Sequence, residues 1–188
     1  TRERERMSTT REDDVIESSA GVYGSTDIQW SDVFRSVLGL RYDRYRFDVT
    51  SLSQPENSGD VSDGIWSPKL SLVLGPWNKT EYFVNAGYGF HSNDARGVTA
   101  KVDPVPPNDA VDSATPLVRS SGRELGLLTE LIPYVQSSLS LWALHLDSEL
   151  VFVGDAGNTE AGRPSQRYGA EWSNRWRAQP WLLLDLDL

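Results

Sequence analysis

Hydrophobic and polar positions alternate along most of this chain with a period of two. Residues 81–90, EYFVNAGYGF, show the pattern: Tyr82, Val84, Ala86, Tyr88 and Phe90 fall on one face of an extended chain, and Glu81, Phe83, Asn85, Gly87 and Gly89 on the other. The first face is apolar and aromatic throughout, while the second is mixed and small. The same reading gives eight strands, at about 20–30, 34–48, 64–75, 81–90, 122–132, 136–150, 165–177 and 181–188. Val22, Ile28 and Trp30 oppose Tyr23, Asp27 and Gln29, and Phe34, Leu38, Leu40 and Tyr42 oppose Arg35, Gly39, Arg41 and Asp43. Trp66, Leu70, Leu72 and Leu74 stand against Lys69, Ser71 and Gly75. Tyr168, Ala170, Trp172 and Trp176 oppose Arg167, Glu171 and Arg175, and Leu182, Leu184, Leu186 and Leu188 oppose Asp185 and Asp187. Charges keep to one face, and no long segment has the three- and four-residue spacing of an amphipathic helix. The sixth segment breaks phase, because Leu139 and Leu141 are one residue out of step with Trp142, Leu144 and Leu146; the spacing predicts a β-bulge near Leu141.

The connections alternate in length. Residues 31–33, 76–80, 133–135 and 178–180 read as tight turns, whereas 49–63, 91–121 and 151–164 are long and rich in Pro, Gly, Asn and Asp. Every tight turn carries a ring: Trp30 and Phe34, Trp77 and Tyr82, Tyr134, then Trp176 and Trp181. A second set, Tyr42, Trp66, Tyr88, Phe90 and Tyr168, lies toward the long loops. The two sets are separated by about the nine to eleven tilted residues that cross a bilayer. Rings at both water–hydrocarbon boundaries, short turns at one end and long loops at the other describe an outer-membrane β-barrel with its short turns in the periplasm. A soluble sandwich also alternates, but its Greek-key connections mix lengths at both ends.

Composition narrows the function. A net charge of −9 opposes nucleic-acid binding, which calls for a basic stripe. The opening TRERER is balanced by its own glutamates and by Glu12, Asp13 and Asp14 and reads as solvated loop. There is no cysteine, so no disulfide, thiolate metal site or cysteine nucleophile exists. His91 and His145 belong to no metal motif, and no apolar run reaches the ~18 residues of a membrane helix. The carboxylate pairs Asp147/Glu149 and Asp185/Asp187 read as solvated or ion-paired lumen residues rather than a glycosidase dyad. Neither a phosphate loop nor a nucleophile elbow is present, so no enzyme activity and no cofactor are expected. His91, Asn93, Asp94 and Arg96 are the one polar cluster to weigh; they read as a strand cap and polar turn before they read as a ligand or plug contact. Leu128 falls on the polar inward face between Gly126 and Glu130, and either touches an internal domain or marks a register change.

The segment GIWSPKLSLVLGPWNKTEYFVNAGYGFHSNDARG resembles the barrel of TonB-dependent outer-membrane receptors. Ser67, Pro68, Lys69 and Leu70 descend to a tight turn, and the next strand rises into Gly89–Gly97. Gly122, Arg123, Glu124, Leu125 and Gly126 support the likeness, as do Gly154, Asp155, Ala156 and Gly157, and Arg167, Gly169 and Glu171. The resemblance runs from about residue 20 to the end and implies an all-β antiparallel meander within a transmembrane barrel of about 22 strands. On this reading 1–19 is an extracellular loop remnant and 20–188 is part of the barrel, without its plug domain. The implied partners are outer-membrane lipid, the plug, the remaining strands, an extracellular nutrient ligand and, through the plug, TonB. The implied function is active uptake of a scarce nutrient such as a ferric siderophore; ligand-binding residues are not identifiable. The competing readings are a complete eight-stranded barrel for adhesion or anchoring, and a soluble carbohydrate-binding sandwich.

Overall fold

The structure, a computed structural model, describes residues 11–104, 106–153 and 158–188. Eight strands form one antiparallel sheet: β1 (Asp13–Ser31), β2 (Phe34–Ser51), β3 (Gly59–Trp77), β4 (Thr80–Ser92), β5 (Leu117–Thr129), β6 (Val135–Leu146), β9 (Ser165–Gln179) and β10 (Leu182–Asp187). A separate hairpin, β7 (Leu150–Val153) with β8 (Asn158–Ala161), stands in the last long connection. Each strand of the large sheet pairs with its neighbours in order, and β1 and β10 form its two edges. This is the expected meander. It is neither two stacked sheets nor a closed eight-stranded barrel.

Pairing register carries each face across the sheet. Phe34, Leu74, Tyr82, Leu127, Leu139 and Trp172 form one transverse row, and Ser36, Leu72, Val84, Leu125, Leu141 and Ala170 the next. This face is exposed in the chain by itself, including Leu125 at 56% and Leu141 at 55%. Among the described residues the buried hydrophobics are only Phe47, Val49, Ile65, Ala95, Val98, Leu117 and Val118. Water would not tolerate so large a contiguous apolar face, which is what the hydrocarbon of a bilayer covers.

Three of the tight turns are as short as expected or shorter, at 32–33, 78–79 and 180–181, whereas the third in chain order takes the five residues 130–134 because β5 ends at Thr129. Asn78 and Lys79 have φ of 49° and 59°, the paired left-handed conformation whose twist suits a two-residue hairpin. Trp30 and Phe34 stack at 6.4 Å beside the first turn, and Trp77 and Tyr82 lie 6.2 Å apart beside the second. At the other end Tyr42 and Trp66 are 4.7 Å apart.

Several details differ from the sequence expectation. No bulge occurs near Leu141: β6 pairs in unbroken register with β5 and with β9, and the register shifts fall next to the short turns instead, at Gln29/Ser31, Leu74/Trp77 and Leu182/Leu183. The phase break at Leu141 reflects large apolar groups on both faces. Leu139 and Leu141 face outward, while Trp142 turns inward over Gly169, which has no Cβ to obstruct the indole. The connection expected at 49–63 is only residues 52–58, because β2 and β3 continue past the membrane. β1 likewise starts at Asp13 rather than at 20. The TRERER opening and the Gly154–Gly157 motif lie outside the described residues.

Phe90 is the other correction. Tyr82, Val84 and Tyr88 are exposed on the outer face, but Phe90 is partly buried, 5.8 Å from Tyr45 and against the core. The β3–β4 ladder ends at the Lys69↔Gly87 pair, next to Pro68, which has no N–H to donate. Beyond that point β3 pairs only with β2, and β4 only with β5, so the sheet splits. Arg119 spans the split: its Nη1 donates to the Trp66 carbonyl at 2.9 Å, and its guanidinium lies 5.2 Å from the Tyr88 ring centre.

Candidate functional site

Two surfaces are the candidates for a site: the inner face of the sheet, and the platform formed by the long connections. On the inner face, wide side chains lie flat across glycines. A Cβ at Gly126 would come within 2.3 Å of Phe83 Cζ, one at Gly169 within 2.7 Å of Trp142 Cζ2, and one at Gly39 within 2.8 Å of Lys69 Cε. Each large residue therefore lies along the wall instead of projecting into the interior. A concave recess remains, of about 560 Å³, lined by Lys69, Ser71, Asn85, Glu124, Trp142 and Glu171.

The polar groups of this face are mostly matched with one another. Asn85 Nδ2 donates to Glu124 Oε2 at 2.9 Å. Arg41 grips Asp43 with two hydrogen bonds of 2.6 and 2.7 Å, and the Asp43 side chain is buried. Arg175 Nε donates to Asp185 at 2.8 Å. Leu128 pairs with Glu81 on one side and Ser138 on the other without any register change, and with Gln136, Ser173 and Asp187 lines a second inner recess. Of its two expected roles, the register change is ruled out.

The expected carboxylate pairs are not dyads. Asp147 lies 3.2 Å from His145 Nε2, while Glu149 accepts from Ser165 Oγ at 2.5 Å and from Arg167. The Ser165 bond, then the Arg167 bond, holds the Glu149 carboxyl below the ordinary glutamate range. Asp147, Glu149 and Asp185 each have their own partner. Among the described residues no group of three or more His, Cys, Asp and Glu side chains is placed to hold a metal.

The platform joins the 52–58 connection to the 93–116 connection. Asp94 caps a short helix, α1 (Ala95–Val98), by accepting from the Arg96 backbone N–H at 2.9 Å. The Arg96 side chain returns to the same carboxylate through Nε at 2.9 Å and Nη2 at 2.5 Å, which keeps Asp94 below the usual aspartate range. Asn93 is buried and donates to the Thr115 carbonyl at 2.6 Å. The structure thus supports the turn-forming reading for Asn93, Asp94 and Arg96. His91 sits at the end of β4, paired with Val118, and does not join them.

Sequence reasoning missed Asn57, which is buried and holds the other connection: its Oδ1 accepts from Lys101 N and Val102 N at 2.8 and 2.9 Å, and its Nδ2 donates to Val102 O at 3.0 Å. Nothing in the sequence around Asn57 signals a partner some 45 residues away. The Asp94 cap, by contrast, was available from residue type and position.

A family model, TonB dependent receptor-like β-barrel, matches residues 4–188. The chain belongs to this family. A search of curated protein sequences gives no significant match. Solved structures with the same fold include the copper transporter OprC, with TM-score 0.71 and 16% identity over 93% of this chain and 29% of that one. The ferric yersiniabactin uptake receptor FyuA from Yersinia pestis gives 0.65 and 16% over 93% and 26%. The siderophore receptor PiuA from Acinetobacter baumannii gives 0.66 and 12% over 89% and 24%. The chain thus spans 24% to 29% of the length of these receptors. As in its family, the sheet is an outer-membrane barrel wall, with the apolar face toward lipid.

Proposed function

We propose that this chain is part of the barrel of an outer-membrane receptor that imports a scarce nutrient, such as a ferric siderophore, with TonB supplying energy through a plug domain. The observation that carries the reading is the inner face of an open sheet, where Phe83, Trp142 and Lys69 lie flat over glycines rather than standing up from the wall. A small eight-stranded barrel fills its interior with side chains, whereas a barrel of about 22 strands keeps room for a folded plug. The edge strands β1 and β10 would pair with the remaining strands, and Leu128 with its recess would touch the plug. Residues 11–12 and the 93–116 platform would belong to the extracellular side. Residues 1–188 in isolation would transport nothing, since unpaired edges cannot be satisfied in lipid.

The test is uptake in cells lacking the intact receptor, measured with radiolabelled ferric siderophores, haem, cobalamin and oligosaccharides. Loss of one uptake activity, reproduced by removing TonB, is the expected result. Undiminished uptake of every probe would overturn the proposal.

A further inference from the structure

The buried core of this chain lies on the lumen side of the wall. Toward the long connections the alternation of β2 continues, with Arg44, Arg46 and Thr50 exposed on the outer face and Asp43, Phe47, Val49 and Ser51 buried on the inner one. The β2–β3 register is unbroken from Phe34↔Leu74 to Val49↔Gly59, which puts Val61 and Ile65 on that same inner face. What covers them comes from the neighbouring hairpin. Ala95 and Val98 of α1 and Leu117 at the start of β5, at 2%, 3% and 5% exposed, form one cluster with Phe47, Val49 and Ile65. The 93–116 connection joins β4 to β5, yet it is packed on β2 and β3.

It packs there where the wall is otherwise open. Beyond the Lys69↔Gly87 pair no ladder joins β3 to β4. The two hairpins are joined instead by this core, by Phe90 against Tyr45, by Asn57 on Lys101 and Val102, by Gln54 on the Asp103 carbonyl and by Arg119 on the Trp66 carbonyl. The connection also braces itself: Ala114 N donates to Gly97 O and Val111 N to Lys101 O, both at 2.9 Å, and Ser113 Oγ donates to Ala100 O at 2.6 Å. Segments that open and close on binding come from the weakly packed parts of a fold, with few buried apolar contacts. Lifting this one would expose the cluster to water and leave the Asn57 amide and the Lys101 and Val102 N–H groups without their partners.

We propose that the 93–116 connection is a fixed staple of the barrel wall and not a moving gate. From the lumen side it takes over the role of the β3–β4 ladder where that ladder ends, and it keeps one position while cargo passes beside it. The staple rests on the barrel-wall fold; only its consequence for cargo rests on the import reading above.

A disulfide tests this without touching the apolar core or Asn57. A Cβ built on Gly59 would lie 3.6 Å from Thr99 Cβ, inside the range that a disulfide spans, and this chain has no cysteine of its own. In the intact receptor carrying G59C and T99C the disulfide should form on oxidation. Uptake of whichever probe is imported, among radiolabelled ferric siderophores, haem, cobalamin and oligosaccharides, should be the same within about twofold before and after reduction. In the unmodified receptor the Gly97, Val98 and Thr99 amides, bonded to the Asp94 and Ala95 carbonyls, should exchange within about tenfold of the β3 amides, with and without that probe. Uptake that falls about tenfold or more in the disulfide form and returns on reduction would show a gate and overturn the proposal. So would a Gly59/Thr99 cysteine pair that never closes under oxidation, since the contact would then be absent. If the paired variant does not assemble, exchange decides: amides at 97–99 exchanging about a hundredfold or more faster than those of β3 would overturn the staple. A receptor that takes up none of the probes even when reduced counts against the import reading instead, and the staple is then judged by exchange alone.

Discussion

Asn57 and Val102 exchange two hydrogen bonds, with Val102 N donating to Asn57 Oδ1 at 2.9 Å and Asn57 Nδ2 donating to Val102 O at 3.0 Å. The side-chain amide replaces one peptide of a β-bridge and ties the short 52–58 connection to the long one. Gln54 adds a third link by donating to the Asp103 carbonyl at 3.1 Å. Replacing Asn57 with alanine leaves the Lys101 and Val102 N–H groups unpaired at a cost of about 1–3 kcal/mol. Hydrogen exchange at those two amides should accelerate about tenfold or more, with β4 and β5 unaffected; unchanged protection would show that the platform is held elsewhere.

Asp94 should make the platform acid-sensitive. Its carboxyl is held below the usual aspartate range by Arg96, so the open loop takes up a proton more readily than the closed one. The stabilisation is full above the usual aspartate value and is lost as pH falls through the lower value of the folded state. Exchange protection at Gly97 and Val98, corrected for intrinsic rates, should fall across that acidic window in the native receptor. In Asp94→Asn, which keeps a capping oxygen without the charge, that pH dependence should disappear.

Gly126 and Gly122 give a matched pair on the inner side of β5. A Cβ at Gly126 would meet Phe83 Cζ at 2.3 Å and the Leu139 carbonyl at 2.6 Å, whereas one at Gly122 meets nothing within 4 Å. Gly126→Val should cost about 1–3 kcal/mol through the displaced ring and backbone. In urea unfolding of the refolded receptor, Gly122→Ala should be close to neutral. Similar midpoints for both variants would contradict the flat packing of Phe83.

Most of this fold was legible because each strand has one face in hydrocarbon and one in water, which writes period two into the chain. The eight strands, the four short turns and their rings followed from that contrast alone. The reading failed where the contrast weakens. Trp142 is apolar but faces inward, and its room comes from Gly169 on the neighbouring strand, so pairing was needed to place it. Phe90 keeps the alternation in sequence yet turns toward Tyr45, because Pro68 on another strand ends the ladder beside it. At the start of β1 and over residues 59–63 of β3 every position is exposed or half-buried, so these stretches resembled loop, while Val49 at the end of β2 is buried in a core with Ala95 and Val98 that only the fold brings together. Arg123 was read as part of a family motif, and its place on the lipid face emerged only from register with Ala86 and Ala143.

Topology has its own test. If the short turns are periplasmic, the 93–116 connection is outside the cell, and Asn108 is exposed in it and donates to the Asp103 carbonyl at 2.9 Å. A cysteine at Asn108 should react with a membrane-impermeant maleimide on intact cells. One at Lys79, in the turn between β3 and β4, should react only after the outer membrane is opened. The opposite order would invert the orientation.

The account stands most directly on which face of β4 meets lipid. Spin labels placed singly from Tyr82 to Gly87 in the intact receptor, reconstituted in bilayers, report collision with oxygen, which concentrates in hydrocarbon, and with an aqueous nickel chelate. Oxygen accessibility should peak at Tyr82, Val84 and Ala86 and fall at Phe83, Asn85 and Gly87, following the alternation of exposed and shielded positions along the strand. Maxima at Phe83, Asn85 and Gly87, or no two-residue period, would contradict a barrel wall with this face in the membrane.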